Sequence, residues 1–481
     1  MRVAIVGGGI AGLAAAYELE LARAAGVDVT YELFEAGTRL GGVIASSVVN
    51  GSVIERGPDS FLTEKPAALE LCRELGLERD LVASNDAERK TFILIKNRLV
   101  ALPDGLMFLV PTKFLPMVMT PLFGWLTKIR MGFELLQKPR AASGDSADES
   151  VASLVRRHYG QQAVDRLADP MLSGIYGGDA SLLSAKAVLP RFVEMERKHG
   201  SLTMGMLKGM RARREAAEAL ERETDEEAPP PTPLFTTLRF GLQQLIDELV
   251  MRLDARRLHV DCPATRLERE AAGWLVTAGG VEERFDAVVM ATPAWAAAEL
   301  LAGLDAEVAA ELGAIPYSSS VTVNLVYDGA HLDPLPDGFG FLVPAVEGRA
   351  MLACTFIHRK FPGRTAAGKS VLRAFLGGAR GAALLDESDA VLAALVRREL
   401  MEMLEISATP ELVEVQRWPR AMAQYAVGHG ERMGRIRAGM TRLPGLYLAG
   451  NAYDGIGISD CVRLGRGAAR EISELARSAR S

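Results

Sequence analysis

The chain has 481 residues, a formal net charge of -6, 49% hydrophobic residues and 47 glycines. That length exceeds what one core usually serves and predicts two or three domains, and the apolar content excludes a disordered chain. The acidic balance argues against a nucleic-acid partner, although local basic patches stay open.

Val3 to Val6 reads as a buried strand that runs directly into Gly7-Gly8-Gly9 and then Gly12. Gly7 permits the tight turn, Gly9 lets a pyrophosphate approach the backbone, and Gly12 lets the following helix lie close to the sheet. Leu13 to Ala24, rich in Ala and Leu, supplies the helix whose free amides face the anion, with Ile10 and Ala11 among the cofactor contacts. A glycine-rich start by itself is also an ordinary turn, but here a second strand, Val27 to Phe34, ends at Glu35. A carboxylate there suits the hydroxyls of an adenosine ribose and repels a 2′-phosphate. Ala36-Gly-Thr-Arg39-Leu40-Gly41-Gly42 then makes a second basic, glycine-rich turn. Arg39 supplies charge, and Gly41 and Gly42 allow close approach, which favours FAD over NAD; a surface loop is the plain alternative.

Val43 to Ile54 alternates like a strand and enters a polar turn holding Gly57, Pro58, Asp59 and Ser60. That turn is placed to cover a flavin, with a solvated loop as the alternative. Lys65 to Leu75 reads as a helix stopped by Gly76, and Thr91 to Ile95 with Leu99 to Leu102 as a hairpin around Lys96-Asn97-Arg98. Gly105 to Leu136 is strongly apolar with Lys113, Lys128 and Arg130 at its edges. Pro116 and Pro121 break its uncharged part, which is too short to span a bilayer. It is left as pocket lining for a large apolar ligand, a membrane-surface contact or a helical core. Ser143 to Glu149 reads as a polar loop and Ser150 to Tyr159 as helix. Gly174, Ile175 and Tyr176 belong to a compact element, Pro170 to Asp179, that either approaches a ligand or turns a corner. Arg211 to Ala228 reads as a charged helix, and the prolines that follow as a stiff linker.

Past the prolines, Phe235 to Leu238, the helix Leu242 to Arg252, and the strands His259 to Cys262, Trp274 to Thr277 and Phe285 to Met290 resume the nucleotide domain. Ser319 to Tyr327, Gly340 to Pro344, Met351 to Phe356 and Lys369 to Gly377 predict a second sheet. Leu446 to Asn451 is a strand stopped by Gly450-Asn451, and Gly455-Ile-Gly457-Ile458-Ser459-Asp460 opens the helix Cys461 to Leu475. Its amides suit N1 and O2 of a flavin. Cys72, Cys262, Cys354 and Cys461 form no CxxC, and the histidines are scattered, so no metal site is expected. A nucleotide strand at Arg2 predicts no leader and residence in the cytoplasm.

With Gly7 to Gly12, Glu35, Arg39 to Gly42 and Leu448-Ala-Gly-Asn451, the chain resembles the flavin-containing amine oxidase superfamily. Glu55 to Phe61, Leu172 to Asp179, Thr237 to Gln243 and Asn451 to Cys461 are similar, more narrowly, to the oxygen-dependent porphyrinogen oxidases. The resemblance implies an α/β plus α+β fold. Its parts are a discontinuous Rossmann-like FAD domain of p-hydroxybenzoate-hydroxylase type (1–75, 235–295, 435–481), a mainly helical substrate-lining or membrane-associating insertion (90–210), a charged and proline-rich connection (211–233), and a mixed-sheet substrate domain (296–434). It adds Val260 and Ala291 to the cofactor contacts, with FAD noncovalent. It implies removal of six electrons from a porphyrinogen in three two-electron steps, with dioxygen reduced to peroxide and the flavin carrying the chemistry. It also implies membrane contact at the inner face, and contact with the next haem-pathway enzyme, and leaves the oligomeric state open. Arg89, Lys90, Thr91, Lys96, Arg98, Gly174, Ile175 and Tyr176 are the substrate candidates. Thr91 stands where eukaryote-like members carry arginine, which leans the resemblance to coproporphyrinogen III, with protoporphyrinogen IX second. Another amine or carotenoid oxidase, or a flavoprotein without turnover, is more distant.

Overall fold

A computed structural model of the chain describes residues 1–139, 147–224, 232–332 and 335–478. At its centre lies a five-stranded parallel sheet in the order Leu258–His259, Thr30–Phe34, Arg2–Val6, Ala287–Met290 and Leu446–Leu448. Three distant stretches of chain therefore meet in one sheet. Because side chains alternate across a strand, Val3 and Ile5 face one side, and Ala4 and Val6 the other. Val3 and Ile5 pack with the helices Ile10–Ala24, Gln243–Arg252 and Ile458–Ser478. Ala4 and Val6 pack with the strand Gly273–Ala278 and the helices Ala294–Leu301 and Ala306–Gly313. Burial on both faces is why the first strand reads as continuously apolar.

The second sheet has seven strands: Leu412–Ala423, Tyr317–Asp328, Lys369–Gly377, Met351–Phe356, Gly340–Leu342, Thr91–Ile95 and Arg98–Ala101. It is mixed, since Gly340–Leu342 runs parallel to Thr91–Ile95 and the other neighbours are antiparallel. One face, including Val321, Val323, Leu372, Ala374 and Phe356, packs with Leu392, Val396 and Leu400 of the helix Asp389–Leu404. The helical body follows the seventh strand. Within it a continuous helix passes from Gln161–Ala163 through a π-helical turn, Val164–Ala168, into Asp169–Tyr176. Pro170 cannot donate a backbone hydrogen bond, and a wider turn just before it absorbs that loss.

Several expectations are corrected. Val43 to Ile54 is not one strand but a hairpin, Ser46–Val49 and Ser52–Glu55, turning at Asn50-Gly51, both with positive φ. Phe285 to Met290 is divided by Asp286 between two sheets. Thr91–Ile95 and Arg98–Ala101 belong to the large sheet rather than the helical insertion. The helix Ala306–Gly313, expected with the substrate segment, packs against the nucleotide sheet. The charged helix is present as Leu202–Thr224; most of the linker after it and of the 143–149 loop lies outside the described residues.

In the helical body, buried Glu134 accepts from Ser201 Oγ and from the amides of Leu202 and Thr203, capping the helix Leu202–Thr224, and contacts His158 Nδ1 at 2.9 Å. Burial alone would lower the pKa of His158, but hydrogen bonds to Glu134 and Glu196 outweigh it and raise it. This network anchors the helix Trp125–Glu134 from its inner end.

Candidate active site

The first glycine turn has the geometry a pyrophosphate requires. Gly7 has φ +107°, and a Cβ there would lie 2.6 Å from the Ala291 carbonyl oxygen, while at Gly12 a Cβ would collide with the Gly7 carbonyl. Gly9 differs: a Cβ would meet nothing within 4 Å. That open side lies at the N-cap of Ile10–Ala24, a helix with no side-chain cap and no acidic residue in its first turn. A phosphate fits there against free amides. The second turn lies on the first, with Gly41 N–H donating to Gly8 O at 2.8 Å and a Cβ at Gly42 only 3.2 Å from Gly9 Cα.

Two side chains behave differently from expectation. Glu35 Oε2 already accepts Gly8 N–H and Oε1 accepts Gly37 N–H, both at 2.7 Å. Each oxygen keeps a lone pair for a ribose hydroxyl, so Glu35 shapes the turn as well as reading the ligand. Arg39 donates to the carbonyls of Leu40, Gly42 and Ile44. It folds its own turn instead of extending charge toward a phosphate. Exposed Ala36 and Val260 edge this end, where Cys262 N–H donates to Glu35 O.

Gly57 packs so tightly that a Cβ would strike Val43 O, and Arg373 donates to the Gly57 carbonyl. Pro58 follows, and Asp59 is held by Ser60 Oγ at 2.6 Å, Lys360 Nζ at 3.1 Å and Arg373 at 3.7 Å. Burial would raise the Asp59 pKa, but the two cations outweigh it and hold its carboxyl below the usual carboxylate range. Before this loop, buried Glu55 pairs with Arg364, of which only 1% is exposed. Trp418 Nε1 donates to Arg56 O at 2.7 Å and lies over Gly57. Sequence reasoning missed Lys360, Arg364, Arg373 and Trp418. The alternation of Leu412 to Trp418 is a strand signal, hidden by Pro419 at the sheet edge.

Toward the C terminus, Gly450 has φ +140°, and Asn451 Nδ2 donates to Ala421 O at 3.0 Å. The helix begins at Ile458, earlier than expected. Gly457 N–H is taken by Asp460 Oδ2 at 3.2 Å, and Asp460 pairs with Lys65 at 2.6 Å. Ser459 Oγ points to Lys65 O. The groups left for a flavin are therefore the amides of Ile458 and Ser459, not that of Gly457.

Facing these turns is the second side of the large sheet. Paired residues share a face. Asn324, Arg373, Thr355, Gly340 and Thr91 make one cross-sheet row, and Thr322, Phe375, Ala353, Leu342 and Ile93 the next. The first strand's end of these rows is covered by the flavin turns, since Thr322 Oγ1 donates to Arg56 O and Asn324 Nδ2 to Glu55 O. The other end meets the helical body, where a Cβ on Gly174 would sit 3.0 Å from Leu342. Between them Phe375, Thr355, Leu342 and Thr91 are half-buried, although all four lie on inner strands. Inner-strand side chains reach water only where a cleft opens above them. Ile175 is 47% exposed beside it, and the Tyr176 hydroxyl, pushed up to about 12 by burial, stays protonated. Arg89 and Lys90 are exposed next to Thr91, whereas Lys96 and Arg98 lie at the far turn beside Glu347, about 15 Å away at ~3.3 Å per residue. The four cations do not form one rim.

Residues 10–473 match the flavin containing amine oxidoreductases. The chain is 33% identical over 470 residues to coproporphyrinogen III oxidase of Bacillus subtilis (strain 168), covering 97% of each. It is 31% identical to chloroplastic protoporphyrinogen oxidase 1 of Arabidopsis thaliana, covering 95% of this chain and 85% of that one. A crystal structure from Exiguobacterium sp. 255-15 superposes with a TM-score of 0.85 at 32% identity, covering 98% of this chain and 99% of the other. The chain belongs to the flavin containing amine oxidoreductase family. It is an oxidoreductase whose cofactor is FAD, and the open cradle at Gly9 and the acceptor at Glu35 fit that dinucleotide.

Proposed function

We propose that this enzyme oxidises coproporphyrinogen III to coproporphyrin III in haem biosynthesis, with dioxygen as the terminal acceptor. FAD, when bound, supplies two-electron acceptance and delivery to dioxygen as peroxide. The chain's own residues bind, orient and shield. The observation that carries the reading is the half-burial of Phe375, Leu342, Thr355 and Thr91 on inner strands of the large sheet, in an apolar row that suits a macrocycle and a polar row that suits its edge. A small amine fits less well: Tyr425 is 4% exposed with its hydroxyl bonded to Asn451 and Gly455, so it cannot wall an aromatic cage.

Protoporphyrinogen IX is the second reading, favoured by the half-buried Phe375 and Leu342, which suit vinyl groups. Coproporphyrinogen III carries two more propionates. Arg89 and Lys90, immediately before Thr91, are the better placed of the four cations to meet them. One or two partly exposed charge-assisted hydrogen bonds contribute about 1 to 3 kcal/mol, so kcat/KM for coproporphyrinogen III should exceed that for protoporphyrinogen IX by about tenfold to a hundredfold. Porphyrin fluorescence and peroxide yield, with both substrates at equal oxygen, test this. Equal or better use of protoporphyrinogen IX transfers the assignment.

No helix among the described residues is long and apolar enough to cross a membrane. The helices Phe114–Met119 and Trp125–Glu134 nevertheless expose Phe114, Leu115, Met119, Trp125, Leu126 (86%), Ile129 and Phe133. Monomers seldom leave such a patch in water. Lys128 lies 4.8 Å from the Trp125 ring, and Lys113 flanks the first helix. Apolar anchors with basic neighbours suit an anionic lipid surface, so the reading extends to a cytoplasmic enzyme that rests on the inner face of the membrane. Vesicles containing phosphatidylglycerol should co-sediment the protein, and high salt or mild detergent should release it. Leu126→Glu with Phe133→Glu should abolish binding without loss of flavin; wild-type protein that ignores the vesicles refutes the membrane reading.

A further inference from the structure

We propose that Tyr425 is a positioning residue for the flavin, fixing the Asn451–Gly457 turn from behind through one hydroxyl; this rests on the FAD reading above. Tyr425 Oη donates to the Asn451 carbonyl at 3.0 Å and accepts the Gly455 amide at 2.8 Å. Those two backbone groups bracket Ala452 to Asp454, so a single oxygen closes the turn. The ring is itself immobilised: it stacks on His429 with centroids 4.1 Å apart and planes 10° off parallel, and Tyr176 lies 6.5 Å away on the cleft side. Burial lowers the His429 pKa to about 4, so the stack is uncharged near neutrality. Burial also keeps the Tyr425 hydroxyl protonated, which the bond to Asn451 O needs.

The remaining bonds of the turn show what this clamp achieves. Asn451 Nδ2 is tied to Ala421 O, and Asp460 holds Gly457 N–H and Lys65. With Tyr425 in place, both arms of the turn are fixed, and the first amides of the helix Ile458–Ser478 have one position. Preorganised donors stabilise developing negative charge without reorganising, so loosening them weakens the seat and disfavours the reduced cofactor. Tyr425 thus connects the cleft helix ending at Tyr176 to the geometry of the cofactor seat.

Tyr425→Phe keeps the ring, the stack and the volume and deletes only the oxygen. In the purified holoenzyme it should weaken FAD binding about tenfold and move the two-electron midpoint potential negative by about 30 mV, which is a tenfold change for such a couple. His429→Leu, which loosens the stack from behind, should give a shift of the same sign and about two- to threefold in affinity; it also serves if Tyr425→Phe does not fold. Tyr327→Phe removes another buried tyrosine hydroxyl, on the sheet face turned away from the cleft, and should leave both readouts unchanged. If Tyr425→Phe only lowers the melting temperature, as a structural hydroxyl would, the proposal is wrong. Wild-type protein that takes up no FAD would instead overturn the cofactor reading, and this proposal with it.

Discussion

Gly12→Val is expected to yield a colourless protein whose affinity for FAD has fallen by about a hundredfold or more, equivalent to about 2.7 kcal/mol. A side chain at Gly12 collides with the Gly7 carbonyl and comes within 3.3 Å of Ala291 Cβ, and both neighbours are fixed by the parallel sheet. Backbone cannot yield as a flexible side chain can, so the turn must open or the helix must lift. Either movement displaces the amides that face the pyrophosphate. The ratio of flavin to protein absorbance and a fluorescence titration measure the loss. Gly467→Ala is the control, since a Cβ at Gly467 meets nothing within 4 Å, and it should remain yellow. In the wild type, acid precipitation should leave the flavin in the supernatant, because Cys461, whose amide donates to the Gly457 carbonyl, is buried with its thiol pushed up to about 12 and so is not a nucleophile. Undiminished FAD binding by Gly12→Val would remove the nucleotide cradle from the account.

Arg364→Leu should lower unfolding stability by about 3 to 5 kcal/mol, the usual cost of stranding one partner of a buried ion pair. Glu55 is 3% exposed and would face no cation at contact distance, although Ser46 Oγ and the Leu242 amide still donate to it. The pair also joins two parts of the molecule, since Arg364 O accepts Val53 N–H at 2.8 Å and Glu55 leads directly into the Gly57 turn. Flavin retention should therefore fall together with stability. Urea titration measures the first effect, and adding Glu55→Gln should restore part of it, because the uncompensated charge is then gone. A single variant as stable as wild type would mean that the pair contributes nothing.

The sequence by itself determined the local elements of the nucleotide end: the apolar strand Arg2–Val6, the helix after Gly9, and the order of strand, turn and carboxylate up to Glu35. These are readable because backbone geometry at a glycine turn and burial on both faces of a strand impose residue types within a few positions. It also supplied Gly41, Gly42 and Gly57, whose need is steric. It could not supply partners. Nothing near Asp59 in the chain announces Lys360 or Arg373, and nothing near Asn451 announces Tyr425, because register between distant strands decides which side chains meet. For the same reason Thr91 and Arg98, close in sequence, fall at different places relative to the cleft, and Arg39, read as a free charge, is consumed by three carbonyls of its own turn. The apolar stretch from Gly105 to Leu136 left pocket lining, membrane surface and helical core all open. Only the packing of Glu134 and His158 beneath it decided the matter, by anchoring the inner side of the second helix and leaving its aromatic side in solvent.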